Sequence, residues 1–215
     1  MALPPERIVP DTLEWDLYHY EHIQRYQFAA RQCQNKRVLD AACGVGYGTV
    51  LLAEAGAPCV TGIDIDARAV SYAQRHFLRP NVHFVRSDVE AMGFPNRSFD
   101  VVVSFETIEH IARPLALLRE AYRVLSPGGL LICSTPNKEY SVRQSIVNPY
   151  HLSEMTIAEF RRAVGTCFDI VGEFHQSMTG AFFRQQALAY QLRQMEALTS
   201  ASRVFKLENL RRRLS

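Results

Sequence analysis

The sequence predicts an α/β protein built on a doubly wound, mainly parallel sheet with helices on both faces. Two observations lead there. Apolar runs of strand length alternate with amphipathic stretches of helical period from residue 37 to about residue 173, the pattern of parallel strands joined by crossover helices. One of these runs, "VLDAACGVGYGT" (38–49), breaks at its end into Gly44, Gly46 and Gly48. In open parallel sheets, ligands settle at such strand ends.

In chain order, "EWDLYHYEHIQRYQFAARQ" (14–32) reads as an aromatic-rich amphipathic helix ahead of the sheet. Six strands are expected: "RVLDAA" (37–42), "CVTGID" (59–64), "VHFVRS" (82–87), "FDVVVSF" (99–105), "GLLICST" (129–135) and "FDIVGEF" (168–174). Helical patterns fill 48–56, 66–77 and 114–125. The last opens on Pro114, suited to a first turn, and stops before "SPGG". "TIAE" from Thr156 to Glu159 has capping-box spacing and predicts a helix near 156–164. The tail from 184 to 215 also reads as helix. These elements divide the chain into an N-terminal helical lid (1–35), a core (36–180) and a C-terminal helical extension (181–215).

Composition narrows the function classes. With 24 basic and 22 acidic residues among 215, the net charge of +2 gives nucleic acid no general electrostatic support. The five cysteines are odd in number, scattered and never in a C-x-x-C pair, which argues against disulfides or a zinc knuckle. The N-terminus lacks an apolar signal core and no run approaches a spanning length. A cytoplasmic protein is expected.

The glycines imply that something rests on bare backbone at this turn. Their spacing is G-x-G-x-G rather than the dinucleotide pattern, and Asp40 stands just ahead of them, where a carboxylate repels phosphate and attracts a cation. A nucleoside with a positive end suits the site better than a diphosphate. Asp64 closes the second strand 20 positions after Gly44, the spacing of a ribose acceptor. Asp88 ends the third and can accept from an exocyclic amine. Each acid alone also reads as a cap on a turn or helix; three at successive strand ends favour a ligand. Cys43 reads as a small packing residue in the turn.

On these residues the chain resembles the class I S-adenosylmethionine-dependent methyltransferases, from residue 36 to about residue 175. The resemblance rests on "VLDAACGVGYG", "GIDID", "VRSDVEAMGFPNRSFDVVVSFETIEHI" and "RVLSPGGLLICSTPN". It is strongest to the small-molecule branch of quinone-biosynthesis and sugar- or polysaccharide-pathway enzymes. The resemblance implies a Rossmann-like sheet of seven strands with helical additions at both termini. It implies S-adenosylmethionine as cofactor: the methionine end held at Asp40, Ala42, Gly44 and Gly46, the ribose at Asp64 beside Ile65, and the adenine at Asp88 and Val89, with Phe105 nearby. A helix in the place of 14–32 forms a lid in similar enzymes. Tyr20 and Tyr26 are the lid candidates; Trp15 and Phe28 read as core.

A sulfonium methyl is already activated, so the protein has mainly to align the nucleophile and exclude water, and no metal is expected. For a hydroxyl acceptor a general base helps. Glu106 and His110 of "SFETIEHI" share a face at i and i+4 if that segment is helical. His151 in "NPYHLSE" is the second candidate. Either histidine also reads as a cap or loop pin. The basic "RVFKLENLRRRLS" reads as a solvated face or as a helix docking on a membrane surface or partner. The expected activity is methyl transfer to a small molecule, most simply at oxygen. Transfer to nitrogen or carbon, a nicotinamide-dependent oxidoreductase and a non-catalytic binding module are the rivals. The acceptor and the oligomeric state are not readable from the sequence.

Overall fold

The computed structural model describes residues 13–145 and 148–176, with side chains from residue 19 onward. The C-terminal extension at 181–215, including its basic helix, lies outside these residues. The first element is helix α1 (Leu13–Ala30). Then strands β1 (Arg37–Ala41), β2 (Cys59–Asp64), β3 (Val82–Arg86), β4 (Phe99–Phe105) and β5 (Leu125–Ser134) alternate with helices α2 (Tyr47–Glu54), α3 (Ala67–His76) and α4 (Pro114–Val124). A single 3-10 turn, Ile108–His110, follows β4, and α5 (Lys138–Arg143) and α6 (Ile157–Val164) follow β5. No helix among the described residues is long and apolar enough to cross a membrane.

All the strand pairs are parallel, in the order β3-β2-β1-β4-β5. The chain winds outward from β1 to β3, then returns to place β4 on the other side of β1. The order therefore reverses between β1 and β4, where their carboxyl ends open a crevice. Period-2 alternation divides the core. Val38, Val60, Phe84, Val101 and Val103 face Tyr26, Ala29, Leu52 and Ala73 of α1, α2 and α3. Leu39, Ala41, Ile63 and Val102 face Leu117, Leu118, Ala121 and Val124 of α4. Each fully buried Leu or Ile contributes about 1.5–3 kcal/mol by leaving water.

Most local signals act as expected. Asp66 caps α3 by accepting from the Arg68 amide, and Thr156 and Glu159 form the full capping box of α6. Two expectations need correction. β5, expected to begin at Gly129, also takes in "LSPG": Phe99 pairs with Leu125 and Val101 with Leu130, so the longer segment bulges around Pro127 and Gly128 (φ 75°). The bulge puts Phe99 on the same face as Val102 rather than that of Val101.

The second correction is to the sheet. Five strands are present among the described residues, and "FDIVGEF", expected as the sixth, is not a strand. A period-2 pattern marks residues able to be extended, but a strand also needs a ladder partner. Val171 is 86% exposed, Phe174 packs its ring on Phe28 at 4.7 Å, and Gln176 donates to the Glu21 carbonyl at 3.2 Å. The segment crosses toward α1 instead of lying along β5.

Candidate functional site

The two strand ends beside the reversal both carry a non-glycine residue in the left-handed region: Ala42 at φ 67° after β1 and Glu106 at φ 47° after β4. Such conformations are strained for residues with a β-carbon and persist where the surroundings impose them. Here both chains turn sharply away from the crevice. The turn after β1 is pinned to β2 by the Cys43 amide, which donates to the Ile63 carbonyl at 2.8 Å.

The three glycines serve three different ends. A β-carbon at Gly44 (φ 56°) meets nothing within 4 Å, so this backbone is open to a ligand. At Gly46 (φ 94°) a β-carbon would lie 2.7 Å from Ala73 and from the Phe84 ring, so that glycine lets the turn pack on α3 and β3. At Gly48 it would lie 2.0 Å from the Tyr26 ring. Of the triplet expected to face a ligand, Gly44 has open space at its β-carbon position, whereas Gly46 and Gly48 face protein.

Asp40 sits beneath the turn, fully buried. Thr49 Oγ1 donates to it at 2.7 Å and the Tyr26 hydroxyl at 3.1 Å. Burial pushes its pKa up to about 7, against the lowering effect of those two bonds. Tyr26, expected in a lid, is a core residue whose ring meets Phe105 at 5.1 Å and Tyr47 at 5.9 Å, both edge-on. Phe105 is itself buried. Tyr20, the other lid candidate, is 43% exposed on the same helix.

Asp64 Oδ2 accepts from the Gly44 amide at 3.0 Å and Oδ1 from the Asp66 amide at 2.9 Å. The carboxylate therefore ties the glycine turn to the end of β2. Ile65 beside it is 58% exposed. Asp88 is half-buried and accepts from the Glu90 amide at 2.8 Å, with Val89 buried next to it. The three acids thus stand at successive strand ends as expected, each engaged with neighbouring protein groups.

Arg25 was not apparent from the sequence, where it is one polar position among the aromatics of α1. Its guanidinium lies 3.7 Å from Glu106 and 3.8 Å from Glu21. Nη1 is buried with no hydrogen-bond partner. An unsatisfied buried cationic donor is costly unless something accepts from it, and this one stands beside the end of β4.

The segment after β4 departs from the expected geometry. Glu106 is not on a helix with His110; its left-handed backbone turns it away, and Oε1 accepts from Ser134 Oγ at 2.6 Å. Glu109 takes its place beside His110, with Oε1 3.8 Å from His110 Nε2. Glu109 is completely buried. Oε2 accepts from Thr135 Oγ1 at 3.0 Å, while Oε1 has no hydrogen-bond partner. Burial, with the nearby Glu106 charge, pushes its pKa up to about 8.

The two candidate histidines, 41 positions apart in sequence, meet in space with ring centroids 4.8 Å apart. The loop carrying His151 is tied down by Glu109 itself, whose carbonyl accepts from the Leu152 amide at 2.7 Å and the Ser153 amide at 3.0 Å. His151 Nδ1 bonds Glu154, Asn148 Nδ2 bonds His151 Nε2 at 2.9 Å, and His110 Nδ1 bonds the Tyr150 carbonyl at 3.1 Å.

The end of β1 thus offers an open glycine backbone at Gly44, with the Asp64 carboxylate at the end of β2 bound to it. Comparison with known proteins gives the family. Residues 39–133 match the model of a family described as "Methyltransferase domain". The chain is 34% identical over 181 residues to the "Probable S-adenosylmethionine-dependent methyltransferase" of Mycolicibacterium smegmatis, covering 81% of this chain and 69% of that one. It is 38% identical over 104 residues to a ubiquinone biosynthesis O-methyltransferase of Cereibacter sphaeroides, covering 47% of this chain and 42% of that one. The structure of the YcgJ protein from Bacillus subtilis superposes with a TM-score of 0.59 at 21% identity, over 67% of this chain and 68% of that one, a likeness of fold. The chain belongs to the S-adenosylmethionine-dependent methyltransferases. It spans between 42% and 69% of the length of these curated relatives.

Proposed function

We propose that this chain transfers a methyl group from S-adenosylmethionine to a hydroxyl of a small molecule. The observation that carries the proposal is the convergence of Glu109, His110 and His151 past the end of β4, the strand beside the glycine turn of β1. A base-bearing cluster at this position matches what a hydroxyl acceptor needs and an amine acceptor does not.

The residues present fit the cofactor. The unpartnered Nη1 of Arg25 is a ready donor for a carboxylate. The open backbone of Gly44 receives the ligand without a clash. Asp64, oriented by two backbone amides, is an acidic acceptor at the end of β2, suited by position to ribose hydroxyls. Asp88 and the exposed Ile65 suit the adenine edge and face. S-adenosylmethionine supplies a methyl on sulfonium. What the chain adds is alignment, exclusion of water and a place for the acceptor's proton.

That place is the imidazole pair. The Tyr150 carbonyl takes the Nδ1 proton of His110, and Glu154 takes that of His151. Nε2 is then the unprotonated nitrogen of each ring, and in His151 it accepts from the Asn148 amide at 2.9 Å. The free state of all five cysteines supports a reducing, cytoplasmic setting. The name of the Cereibacter relative supports an oxygen acceptor.

The experiment is incubation with methyl-labelled S-adenosylmethionine and cell metabolite extract, with the labelled product identified by mass spectrometry. A methyl ether or ester is the expected product. A labelled amine or ring carbon would replace the hydroxyl reading. Cofactor binding with no labelled product from any extract would favour a binding module instead.

A further inference from the structure

The side chains of Glu109, His110 and His151 each offer one ligand atom, and these atoms all lie within 4.8 Å of one another. We propose that they form a site for one divalent transition-metal ion, of the zinc, cobalt or manganese type, at the mouth of the crevice. Two imidazoles and a carboxylate are a donor set for such ions that leaves positions open for exchangeable ligands.

Three features point to a cation rather than to ordinary packing. First, Glu109 Oε1 is completely buried and lacks a hydrogen-bond partner. A carboxyl oxygen taken out of water and left unsatisfied is costly for a fold to carry, and an ion bound to it removes that cost. Second, both histidines are held in the tautomer a metal requires. His110 Nδ1–H donates to the Tyr150 carbonyl and His151 Nδ1–H to Glu154, so Nε2 is the unprotonated nitrogen of each ring and the one an ion would take. An acceptor behind each ligating imidazole is the usual supporting shell of a metal site.

Third, the spacing is right for a small closure. His110 Nε2 and Glu109 Oε1 are 3.8 Å apart, and two ligands of one tetrahedral ion stand roughly 3.3 Å apart. His151 Nε2 presently accepts from the Asn148 amide at 2.9 Å, a bond that a metal would replace by turning that amide aside. The sequence does not advertise this site because His151 is more than forty positions from the other two ligands, and Glu109 looks like a loop acid until its burial is seen.

The inference deepens the proposed function and rests on it for its chemical role. An ion here would lower the pKa of a coordinated acceptor hydroxyl and orient its oxygen, in place of proton removal by a free imidazole. The site itself is tested without catalysis. Chelator-treated, tag-free protein is titrated with Co2+ and followed by visible absorption, then back-titrated with Zn2+. One Co2+ per chain, displaced by Zn2+, is expected. Glu109→Gln and His151→Ala should each weaken Co2+ binding at least tenfold, while His83→Ala, an exposed histidine on β3, leaves it unchanged. A rise in melting temperature of the unaltered protein with Zn2+ tests the site even if Glu109→Gln fails to fold.

No Co2+ absorption and no Zn2+ stabilisation would overturn the inference, as would binding that survives both substitutions. Calorimetry of S-adenosylmethionine on the chelated protein separates the two readings. Cofactor binding and full-rate transfer without metal leave the methyltransferase intact and remove the metal's role. Metal binding without cofactor binding does the reverse.

Discussion

Replacing Asp40 with Asn should make the protein more stable at neutral pH and change how its stability depends on pH. In the fold the carboxyl group is fully buried, and its pKa is pushed up from 3.8 to about 7, first by burial and further by the Asp64 charge. Between those two values the folded state holds a proton that the unfolded state has released. This acid therefore contributes its best stability below about pH 4, loses it steadily as pH rises toward 7, and changes nothing above that. Each pH unit is worth about 1.4 kcal/mol, so the ionised group costs roughly 4 kcal/mol at pH 8 relative to pH 4. Asn retains a carbonyl for the 2.7 Å bond from Thr49 and does not titrate. The difference in unfolding free energy between Asp40→Asn and the unaltered protein should thus move in favour of the variant by roughly 2 kcal/mol between pH 5 and 7, and then level off. Urea denaturation at pH 5, 6, 7 and 8 measures it, and Glu109 and the other acids cancel in the comparison. A difference that stays flat over this range would mean that Asp40 is ionised throughout, and the account of its burial would be wrong.

Four further outcomes follow from the same geometry. Binding of S-adenosylmethionine near pH 6 should release a proton, because a positive ligand above Asp40 favours its charged form; calorimetry in buffers of differing ionisation enthalpy reads the release directly. Gly46→Ala should lower stability by about 2–4 kcal/mol in urea, since its β-carbon strikes Ala73 and Phe84 in a left-handed backbone, whereas Gly44→Ala should cost only about 1–2 kcal/mol of stability yet weaken cofactor binding. Asp64→Ala should weaken that binding roughly tenfold or more by losing a charged acceptor that also sets the turn; unchanged affinity would remove Asp64 from the site. Once an acceptor is known, His151→Ala should slow transfer by about 10²-fold or more with cofactor affinity retained.

The regular elements were legible because their signals are local. β2 and β4 begin and end where alternation and turn residues place them, and Thr156 and Glu159 cap α6 as their spacing implies. Pro127 and Gly128 misled because a bulge and a turn share the same residues; only the pairing partner Phe99 distinguishes them. Asp64 and Asp88 could be placed from strand ends alone. The roles of Gly46 and Gly48 could not, since what a β-carbon would strike comes from Ala73, Phe84 and Tyr26 on other elements. Likewise the pairing of His110 with Glu109 rather than Glu106 depends on a left-handed residue after β4, which no periodicity announces.

The seating of Tyr26 bears on the order in which this chain can acquire structure as it is made. The groups that surround that ring and hydroxyl belong to Asp40, Tyr47, Gly48 and Phe105. The helix that carries it leaves the ribosome early, but its berth is incomplete until Phe105 has been synthesised. At about 5–20 residues per second that is a wait of roughly 4–16 s. During this interval the aromatic side of the helix has no sheet to cover it. The last strand to border the berth, β4, is directly followed by Glu106, so the helix can lock and Arg25 can meet that acid only in the same late step.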